Sequence, residues 1–392
     1  MIKERKKRKQ VYFITTRLKK GGAEKAINIL ANNLSDYYDI TVFVLNPDKK
    51  ELSQKTKNMN LIFLKTIRIF RSFSILSPIK LIWLLSKLKN GDLLFSHQYY
   101  TFSSLVSGAA SFIWRIPFVL KPIAPIPTDY PPTTPLLKMF GYILNRTVFR
   151  FVFYNAIFIT PTSTFEKSYL LELGVNPNKI KIVPSGIDDP FFTYKSSQNI
   201  RSKIRSHYSL PHNAYLLLYV GRLEEMKGLH LFINALQKTL NVVPQTYALI
   251  VGDGSVLYKN KLRNQIKKYG IDKYVKFTGY LLGKTLLDHY AASDVFVHPS
   301  YMETAPLAVR EAIAMGLSVV ATNVGGTSEY VRNNIDGILV QPGNPSKLAN
   351  AIVNVLLNQD SFNVNAENIR KYSWNHYVTQ MRYIFEETLE GI

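Results

Sequence analysis

Cysteine is absent from the sequence, which has 392 residues. Without cysteine the chain can form no disulfide bond and can bind no metal ion through a thiolate. Proteins without disulfides are compatible with a reducing compartment. We therefore expect a cytoplasmic protein.

Long apolar runs are also missing. No stretch reaches the about 18 consecutive apolar residues that a membrane-spanning helix needs. Basic residues crowd positions 3–9, but no apolar signal-peptide segment follows them. The sequence therefore predicts neither a transmembrane helix nor a secretory signal.

Acidic residues are scarce, because 27 Asp and Glu oppose 49 Lys and Arg and leave a net charge of +22. Such a charge fits three kinds of partner: nucleic acid, an anionic membrane surface or an acidic small substrate.

The distribution of this charge favours a membrane surface. Between Leu61 and Asn90, six basic residues and no acidic residue alternate with aliphatic and aromatic residues, a pattern typical of membrane-surface elements. A second aromatic segment, Phe140 to Ile159, is interrupted by Arg146 and Arg150. The alternative is that both segments are buried helices with solvated Lys and Arg edges. We expect a peripheral protein on the inner face of the cell membrane, which contacts an anionic surface and binds no nucleic acid.

Short β-rich runs alternate with helical patterns along the chain, which predicts parallel sheets built from βα units. The length exceeds what one hydrophobic core usually supports, so two domains are expected. The pattern restarts after a polar, linker-like segment, Ser196 to Asn199. The sequence predicts a first domain over residues 1–192, a second over 193–372 and a closing helix over 373–392.

Three glycine-containing turns follow predicted strands, at Gly21-Gly22, Gly252-Asp253-Gly254 and Gly325-Gly326. Glycine lets the backbone approach a phosphate, and a following helix offers N–H groups at its N-terminus. Tight packing would explain any one of them equally well. Together they predict a ligand crevice, because the carboxyl ends of parallel strands meet at one edge of a sheet.

Two cations, Arg222 and Lys227, follow the strand that ends near Gly221. A guanidinium group binds phosphate oxygens in pairs and an ammonium group adds a compact charge, so the two suit a diphosphate. The alternative is a solvated basic pair whose only partners are Glu224 and Glu225.

Two carboxylates lie around a later predicted helix, Leu307 to Met315. Glu303 precedes this helix, and Glu311 lies within it among apolar residues. A carboxylate in such a stretch needs a hydrogen-bond donor, and sugar and ribose hydroxyl groups are donors. The alternative partners are Arg310 and Arg332, since buried acids are usually paired.

His97 ends a predicted strand of the first domain, and a proline-rich loop, Lys121 to Pro135, follows a later strand. A lone histidine is more often structural, but its position at a strand end makes His97 a candidate for proton chemistry. Long loops in compact domains tend to be functional or mobile.

Several segments together resemble the signature of the retaining GT-B glycosyltransferases of family 4. They are GGAE at Gly21–Glu24, VPSGID at Val183–Asp188, VGRLEEMKG at Val220–Gly228, YAASDVFVHPS at Tyr290–Ser300, and SYMETAPLAVREAIAMGLSVVATNVGGTSEYVRNNIDGILVQPG at Ser300–Gly343. They occur in the family's order over nearly the whole chain. The resemblance implies two Rossmann-like, doubly wound α/β domains that face each other across a cleft, with a C-terminal helix that crosses back to the first domain.

The resemblance also implies roles for single residues. Glu303 would hold the transferred sugar and Glu311 the ribose. Arg222, Lys227 and the Gly22 backbone would bind the diphosphate. His97 would lie near the reacting sugar.

Further residues would complete the two sides of the site. The donor side would include Gly21, Gly252, Gly254, Tyr280, Leu281, Ala305, Pro306 and Leu307. The acceptor side would include Lys121 and Asp129. This chain departs from the family pattern at Ala305, where a larger residue is common, and at Arg310, where an apolar residue is usual.

The sequence therefore predicts a retaining hexosyltransferase. Its donor would be a UDP- or GDP-sugar, and its acceptor a membrane-proximal or lipid-linked glycan of cell-surface polysaccharide synthesis. No cofactor and no metal ion are expected, because cationic side chains can neutralise the diphosphate and no Asp/His cluster is spaced for a metal ion. The alternatives are a GT-B epimerase or phosphorylase, a basic nucleic-acid-binding protein, and a membrane-surface scaffold without catalysis.

Overall fold

In the computed structural model the described residues are 8–16, 18, 22–45, 59–70, 73–98, 101–122, 143 and 146–391. The chain forms two units: the first unit comprises residues 1–186 and 374–392, and the second unit comprises residues 187–373. The division after residue 186 lies six residues before the boundary that the sequence predicts.

The first unit contains a parallel sheet and a small antiparallel hairpin. Its described strands are β1 (Gln10–Thr15), β2 (Asp39–Leu45), β3 (Asn60–Leu64), β4 (Ile67–Phe70), β5 (Phe73–Ile75), β6 (Leu93–His97), β7 (Phe118–Lys121) and β8 (Phe158–Ile159). The parallel sheet has the order β3-β2-β1-β6-β7-β8, and β4 pairs with β5 in the hairpin. In the register Val11 lies between Ile40 and Leu93, so the strand that comes first along the chain is central.

Helices pack on both faces of this sheet. Those described are α1 (Gly22–Leu34), α2 (Pro78–Leu88), α3 (Phe102–Trp114), α4 (Val148–Asn155) and α5 (Thr164–Glu172), with a short 3₁₀ helix at Pro177–Lys179. Tyr12 and Ile14 of β1 belong to one hydrophobic core, and Val11 and Phe13 belong to another. The alternation arises because successive side chains of a strand point to opposite faces.

The C-terminal helix, Trp374–Glu390, belongs to the first unit. Its buried residues recur every three or four positions and therefore lie on one face; they are Trp374, Tyr377, Met381, Ile384, Phe385 and Thr388. The Phe385 ring lies 6.1 Å from the Phe13 ring and 5.5 Å from the Phe95 ring, between centroids. The predicted return of this helix to the first domain is confirmed.

The second unit contains a parallel sheet of the same kind. Its described strands are β9 (Tyr215–Val220), β10 (Thr246–Val251), β11 (Val275–Gly279), β12 (Val295–His298), β13 (Ser318–Thr322) and β14 (Gly337–Val340). Its described α-helices are α6 (Pro190–Thr193), α7 (Gln198–His207), α8 (Leu229–Leu240), α9 (Val256–Tyr269), α10 (Gly283–Ala292), α11 (Leu307–Ala314), α12 (Pro345–Leu357) and α13 (Glu367–Arg370). Short 3₁₀ helices lie at Glu225–Lys227, Asp272–Tyr274, Gly325–Glu329 and Gln359–Ser361.

Strand order is the same in both sheets. The second sheet runs β11-β10-β9-β12-β13-β14, so its central neighbours are β9 and β12, as β1 and β6 are in the first. In each sheet the chain moves outward from the centre, crosses back and continues on the other side. Ligands of such doubly wound sheets bind beyond the carboxyl ends of the strands at this switch point. The predicted fold class, two Rossmann-like doubly wound domains, is confirmed.

Two sequence-based expectations need correction. The basic stretch Leu61–Asn90 is not one amphipathic element, because it contains most of β3, the β4–β5 hairpin and α2. The segment Ser196–Asn199 is not a linker, because the Ser197 hydroxyl accepts a hydrogen bond from the Ile200 amide at 3.3 Å and thereby caps the start of α7. The proline-rich loop lies outside the described residues except for its first two.

Candidate active site

The candidate site of the second unit begins where the loops after β9 and β12 meet. The Tyr301 amide donates a hydrogen bond to the Met226 carbonyl oxygen at 2.8 Å, which fastens the two loops together. Gly228 has a φ of 65°, and a Cβ atom at this position would overlap the Pro299 carbonyl oxygen. Only glycine combines this backbone conformation with so close an approach. The local sequence thus brings Lys227 against the loop that contains Glu303.

Glu303 is the centre of a buried polar network. Its side chain is buried, and its Oε1 accepts hydrogen bonds from three donors. These are Lys227 Nζ at 2.6 Å, His298 Nε2 at 2.8 Å and Ser300 Oγ at 2.7 Å. Burial by itself would raise the pKa of Glu303, but the charges and hydrogen bonds of Lys227 and His298 outweigh it and hold the pKa well below its ordinary value. Glu303 is therefore ionised in this network.

Sequence reasoning missed His298 and Ser300 in this network. His298 is the last residue of β12, whose other residues are apolar and buried. Its Nδ1 is buried without a hydrogen-bond partner among the described residues, while its Nε2 contacts Glu303. A polar residue that ends an otherwise apolar, buried strand was the available signal, since such a side chain needs a partner.

Glu311 lies on α11 and accepts a hydrogen bond from Tyr290 of α10, with 2.9 Å between Oη and Oε2. Burial and the Glu311 carboxylate raise the pKa of Tyr290 well above its ordinary value, so the phenol remains a donor. Of the two arginines considered as alternative partners, Arg332 has another partner, whereas Arg310 interacts electrostatically with Glu311 and also contacts an aromatic ring. Arg332 pairs with Asp336 at 2.6 Å, and the Arg310 guanidinium lies 4.8 Å from the centre of the Tyr330 ring.

Arg222 and Lys227 differ in their surroundings. The Arg222 side chain is exposed and pairs with Glu224 at 2.8 Å, as the alternative of a solvated basic pair predicts. Lys227 is mostly buried and pairs with Glu303, whereas Glu225 pairs with Lys261. An exposed ion pair contributes little free energy, so Arg222 can exchange its partner for an anionic ligand. A role of Arg222 in binding phosphate stays a prediction.

Gly252 and Gly254 are required by backbone packing. A Cβ atom on Gly252 would overlap the Gly221 carbonyl oxygen, and one on Gly254 would overlap that of Leu223. The Leu223 amide also donates to the Asp253 carbonyl oxygen at 2.9 Å. Close packing of the loops after β9 and β10 therefore explains both glycines, and their contact with a nucleotide base stays a prediction.

The remaining donor-side candidates follow β11, β12 and β13. Tyr280 is largely exposed, and Leu281, Ala305 and Leu307 are partly buried against the same hydrophobic core. Pro306 precedes α11. The Gly326 amide donates a hydrogen bond to the Glu303 carbonyl oxygen at 3.1 Å, so the Gly325-Gly326 turn is fastened to the loop that contains Glu303.

In the first unit, His97 and Lys121 lie side by side at the ends of β6 and β7. His97 is buried, and its Nε2 has no hydrogen-bond partner within the described part of the chain. Burial, and then the neighbouring Lys121 ammonium group, hold the pKa of His97 well below its ordinary value. The imidazole is therefore neutral at pH 7.

Lys121 was expected on the acceptor side of the site. The structure shows it fully buried, with Nζ donating to the Val183 carbonyl oxygen at 2.7 Å and lying 5.1 Å from the Tyr377 ring centre. These contacts favour a structural role for Lys121, and its contact with an acceptor stays a prediction. Gly21 and Asp129 lie outside the described residues, while Gly22 begins α1.

Two features that bear on partners are absent from the described residues. No group of three or more His, Asp or Glu side chains within them could hold a metal ion. No helix within them is both long and apolar enough to cross a membrane.

The fold and this site define a class. Two doubly wound parallel sheets, with a buried lysine–glutamate pair and glycine turns at the switch point of the second, are the architecture of GT-B glycosyltransferases. Solved structures of this class superimpose on the chain. HepE of Anabaena in complex with UDP has a TM-score of 0.79 at 23% identity, over 98% of this chain and 100% of that one.

Two sequence families match most of the chain. The family "Glycosyltransferase Family 4" matches residues 20–190, and "Glycosyl transferases group 1" matches residues 200–372. The two matches adjoin in order and leave only the ends and a short segment uncovered. The chain belongs to the family 4 glycosyltransferases, an enzyme family.

Two curated relatives show the range of similarity. The UDP-Gal:alpha-D-GlcNAc-diphosphoundecaprenol alpha-1,3-galactosyltransferase of Escherichia coli is 34% identical over 47% of this chain and 47% of its own length. The D-inositol 3-phosphate glycosyltransferase of Corynebacterium efficiens is 27% identical over 74% of this chain and 70% of its own length. The chain thus spans about half to two thirds of the curated relatives it matches.

Proposed function

We propose that the protein is a retaining hexosyltransferase that moves a hexose from a nucleoside diphosphate sugar to a lipid-linked or membrane-proximal glycan. The observation that carries this proposal is the ion pair between Lys227 and Glu303 at the switch point of the second sheet. A buried ammonium group and a buried, ionised carboxylate there can serve the two halves of such a donor.

The cationic half serves the diphosphate. Lys227 has Glu303 as its counter-ion here, and the exposed Arg222 can turn toward a second phosphate oxygen. Negative charge grows on the departing diphosphate as the glycosidic bond breaks. One preorganised stabiliser of such charge typically lowers the barrier by about 3–4 kcal/mol. These side chains supply the neutralisation without a metal ion.

The acidic half serves the sugar. The three donors to Glu303 converge on Oε1, so Oε2 is the oxygen that can accept hydrogen bonds from sugar hydroxyl groups. Glu311, which accepts a hydrogen bond from Tyr290, would do the same for the ribose. The small Ala305 beside this pair leaves more room for the sugar than a larger residue would.

The transfer step keeps the configuration at the anomeric carbon. The bond from this carbon to the β-phosphate oxygen breaks, and a bond to the acceptor oxygen forms on the same face. The acceptor proton passes to the departing diphosphate. The neutral His97 can accept a hydrogen bond near the reacting sugar. This role is suggested by the resemblance of the chain to the family.

Relatives favour UDP as the nucleotide and a lipid-linked acceptor. The Escherichia coli relative is named for a UDP-Gal donor and a diphosphoundecaprenol-linked acceptor. Solved neighbours contain UDP and UDP-glucose. An acceptor of this kind places the enzyme in cell-surface polysaccharide synthesis, as a cytoplasmic protein on the inner face of the membrane, with Lys121 and Asp129 on the acceptor side.

A transfer assay tests the proposal. The protein is incubated with UDP-glucose, UDP-galactose or GDP-mannose and a short diphospholipid-linked glycan, and both nucleoside diphosphate release and the anomeric configuration of the product are measured. We expect release that depends on the acceptor, an α-linked product from an α-linked donor, and loss of both in Lys227→Met. A free sugar isomer formed without acceptor, or turnover that requires orthophosphate, would instead indicate an epimerase or a phosphorylase.

A further inference from the structure

Three helices of the first unit expose large apolar side chains. The helices are α2, α3 and α4, and their exposed apolar residues are Ile79, Ile82, Trp83, Phe112, Ile113, Trp114, Val148, Phe151 and Tyr154. We call these nine residues the apolar face. Ile79 is 81% exposed and Ile82 68%. Single exposed apolar residues are ordinary, but a cluster marks an interaction site.

The apolar face is continuous across the three helices. Trp114, at the end of α3, donates from Nε1 to the Leu85 carbonyl oxygen of α2 at 3.2 Å. Phe112 of α3 and Phe151 of α4 have ring centroids 5.8 Å apart. Side-chain contacts therefore join α2 to α3 and α3 to α4.

Helix α2 shows that this exposure is not a by-product of core packing. Leu84 and Leu88 bury one side of the helix in the first unit. Ile79, Ile82 and Trp83 lie at positions that share a different side, three and four residues apart. A helix at a water-exposed surface normally carries polar residues there.

The charged residues within the three helices have one sign. The sequences of α2, α3 and α4 contain no Asp or Glu. Exposed basic residues on these helices and beside them are Lys80, Lys87, Lys89, Arg115, Arg146 and Arg150. Lys87 lies over the Trp83 ring at 5.8 Å and Lys89 over the Trp114 ring at 5.3 Å. Aromatic rings next to lysines are typical of the interface between membrane and water.

We propose that the apolar face is a docking surface for an anionic phospholipid bilayer, lying in the plane of the headgroups. The aliphatic side chains of Ile79, Ile82 and Ile113 gain nothing from nucleic-acid phosphates and cannot stack on bases, which disfavours nucleic acid. A second copy of the chain would bring like charges together, because a symmetric interface pairs the same surface with itself. A bilayer offers both an apolar layer and anionic headgroups.

This inference rests on the proposed function only for its purpose, since a lipid-linked acceptor would be presented at the docked surface. The proposed surface keeps α2 and α4 from the predicted segments 61–90 and 140–159, adds the end of α3 and leaves out the β3 strand.

Vesicle co-sedimentation tests the proposal with the full chain. The vesicles are phosphatidylcholine alone or phosphatidylcholine with phosphatidylglycerol at 4:1, at about 50 mM and about 500 mM salt. The variant is Ile79→Glu with Ile82→Glu, and the matched control is Val242→Glu with Leu257→Glu, two similarly exposed apolar residues of the second unit. A thermal shift with UDP checks that each variant folds and binds donor.

We expect the wild type and the control to bind anionic vesicles at low salt, and the α2 variant to bind them at least tenfold more weakly. At high salt, the binding of all three proteins should weaken at least tenfold. Unchanged binding by the α2 variant, or no binding by a wild type that responds to UDP, would overturn the docking surface and leave the proposed function intact. A dimer that the wild type forms and the α2 variant does not would overturn the docking surface in favour of a second copy of the chain. Displacement of the vesicles by nucleic acid would overturn it in favour of nucleic acid. Vesicle binding without any response to nucleotides would instead overturn the proposed function alone.

Discussion

The two units share one strand order but differ in the charges of the side chains at their switch points. In the second unit the Glu303 carboxylate is ionised and receives donors from Lys227, His298 and Ser300. In the first unit the corresponding strand end contains His97, whose neighbour Lys121 is itself a cation. One topology thus supports a compensated ion pair in one place and a neutral imidazole beside a positive charge in the other. The difference lies in the residues around the strand ends, because β6 and β12 both end in a histidine, His97 and His298.

Breaking the ion pair has the largest expected effect. Lys227→Met removes the main counter-charge of Glu303, so kcat/KM should fall by a factor of about 10²–10³. This fall corresponds to a rise of about 3–4 kcal/mol in the activation free energy. The free energy of unfolding should fall by about 3 kcal/mol as well, since a buried carboxylate is left poorly compensated. Initial rates and urea denaturation measure the two losses.

A second substitution separates them. Glu303→Gln in the Lys227→Met background removes the stranded charge, so stability should recover while activity stays low. Recovery of neither, or full activity of Lys227→Met, would contradict the role assigned to the pair.

Removing the second carboxylate of the site should have the next largest effect. Glu311→Ala deletes a charged acceptor for ribose hydroxyl groups, and such hydrogen bonds contribute about 1.5–3 kcal/mol. The Kd for UDP should rise about 10- to 100-fold by titration calorimetry. Glu367→Ala, which removes an exposed carboxylate of the same unit, should leave the Kd unchanged. Equal effects of both would remove Glu311 from the binding site.

The first unit should respond to pH through His97. Its pKa in the folded state is depressed below 6.5, so the unfolded chain binds more protons just below that pH, and stability falls as pH decreases. Between pH 7 and pH 5 the wild type should lose about 1–2 kcal/mol more than His97→Gln, since one pKa unit corresponds to about 1.4 kcal/mol. Identical losses in parallel urea titrations would show that His97 stays accessible to protons in the folded protein.

Tyr290→Phe should have the smallest effect. It deletes a single hydrogen bond to Glu311 and leaves the carboxylate in place, so UDP affinity should fall only by about 1 kcal/mol or less. The same calorimetric titration measures it. A loss as large as that of Glu311→Ala would mean that Tyr290 itself holds the nucleotide.

Local patterns in the sequence were sufficient for the fold and for the identity of the acidic and basic candidates. Strand and helix periodicity recur in each βα unit, and Lys227 and Glu303 each follow a buried strand. Their mutual pairing was beyond reach, because Lys227 has Glu224 and Glu225 nearby in sequence while Glu303 is 76 residues away. The packing of Gly228 against Pro299 and the hydrogen bond from the Tyr301 amide to the Met226 carbonyl oxygen decide the partner.

Burial was the other property that local patterns could not supply. Lys121 was expected on the acceptor side, at the start of a loop, yet it is buried against the Val183 carbonyl group and the Tyr377 ring, from distant parts of the chain. The division of residues 61–90 into several elements was not evident, because strands as short as β4 and β5 leave too little periodicity to distinguish from a helix.

The most direct test of the central claim is a thermal-shift panel with UDP, GDP, ADP and their sugar conjugates on the wild type, Lys227→Met and the control Lys347→Met, an exposed lysine of the second unit. A ligand at a hundredfold excess over its Kd adds about 2.7 kcal/mol of stability. We predict that one nucleoside diphosphate stabilises the wild type and Lys347→Met, and that Lys227→Met loses this response. Stabilisation by nucleic acid but by no nucleotide, or an undiminished response in Lys227→Met, would contradict the assignment of this site to a nucleotide-sugar donor.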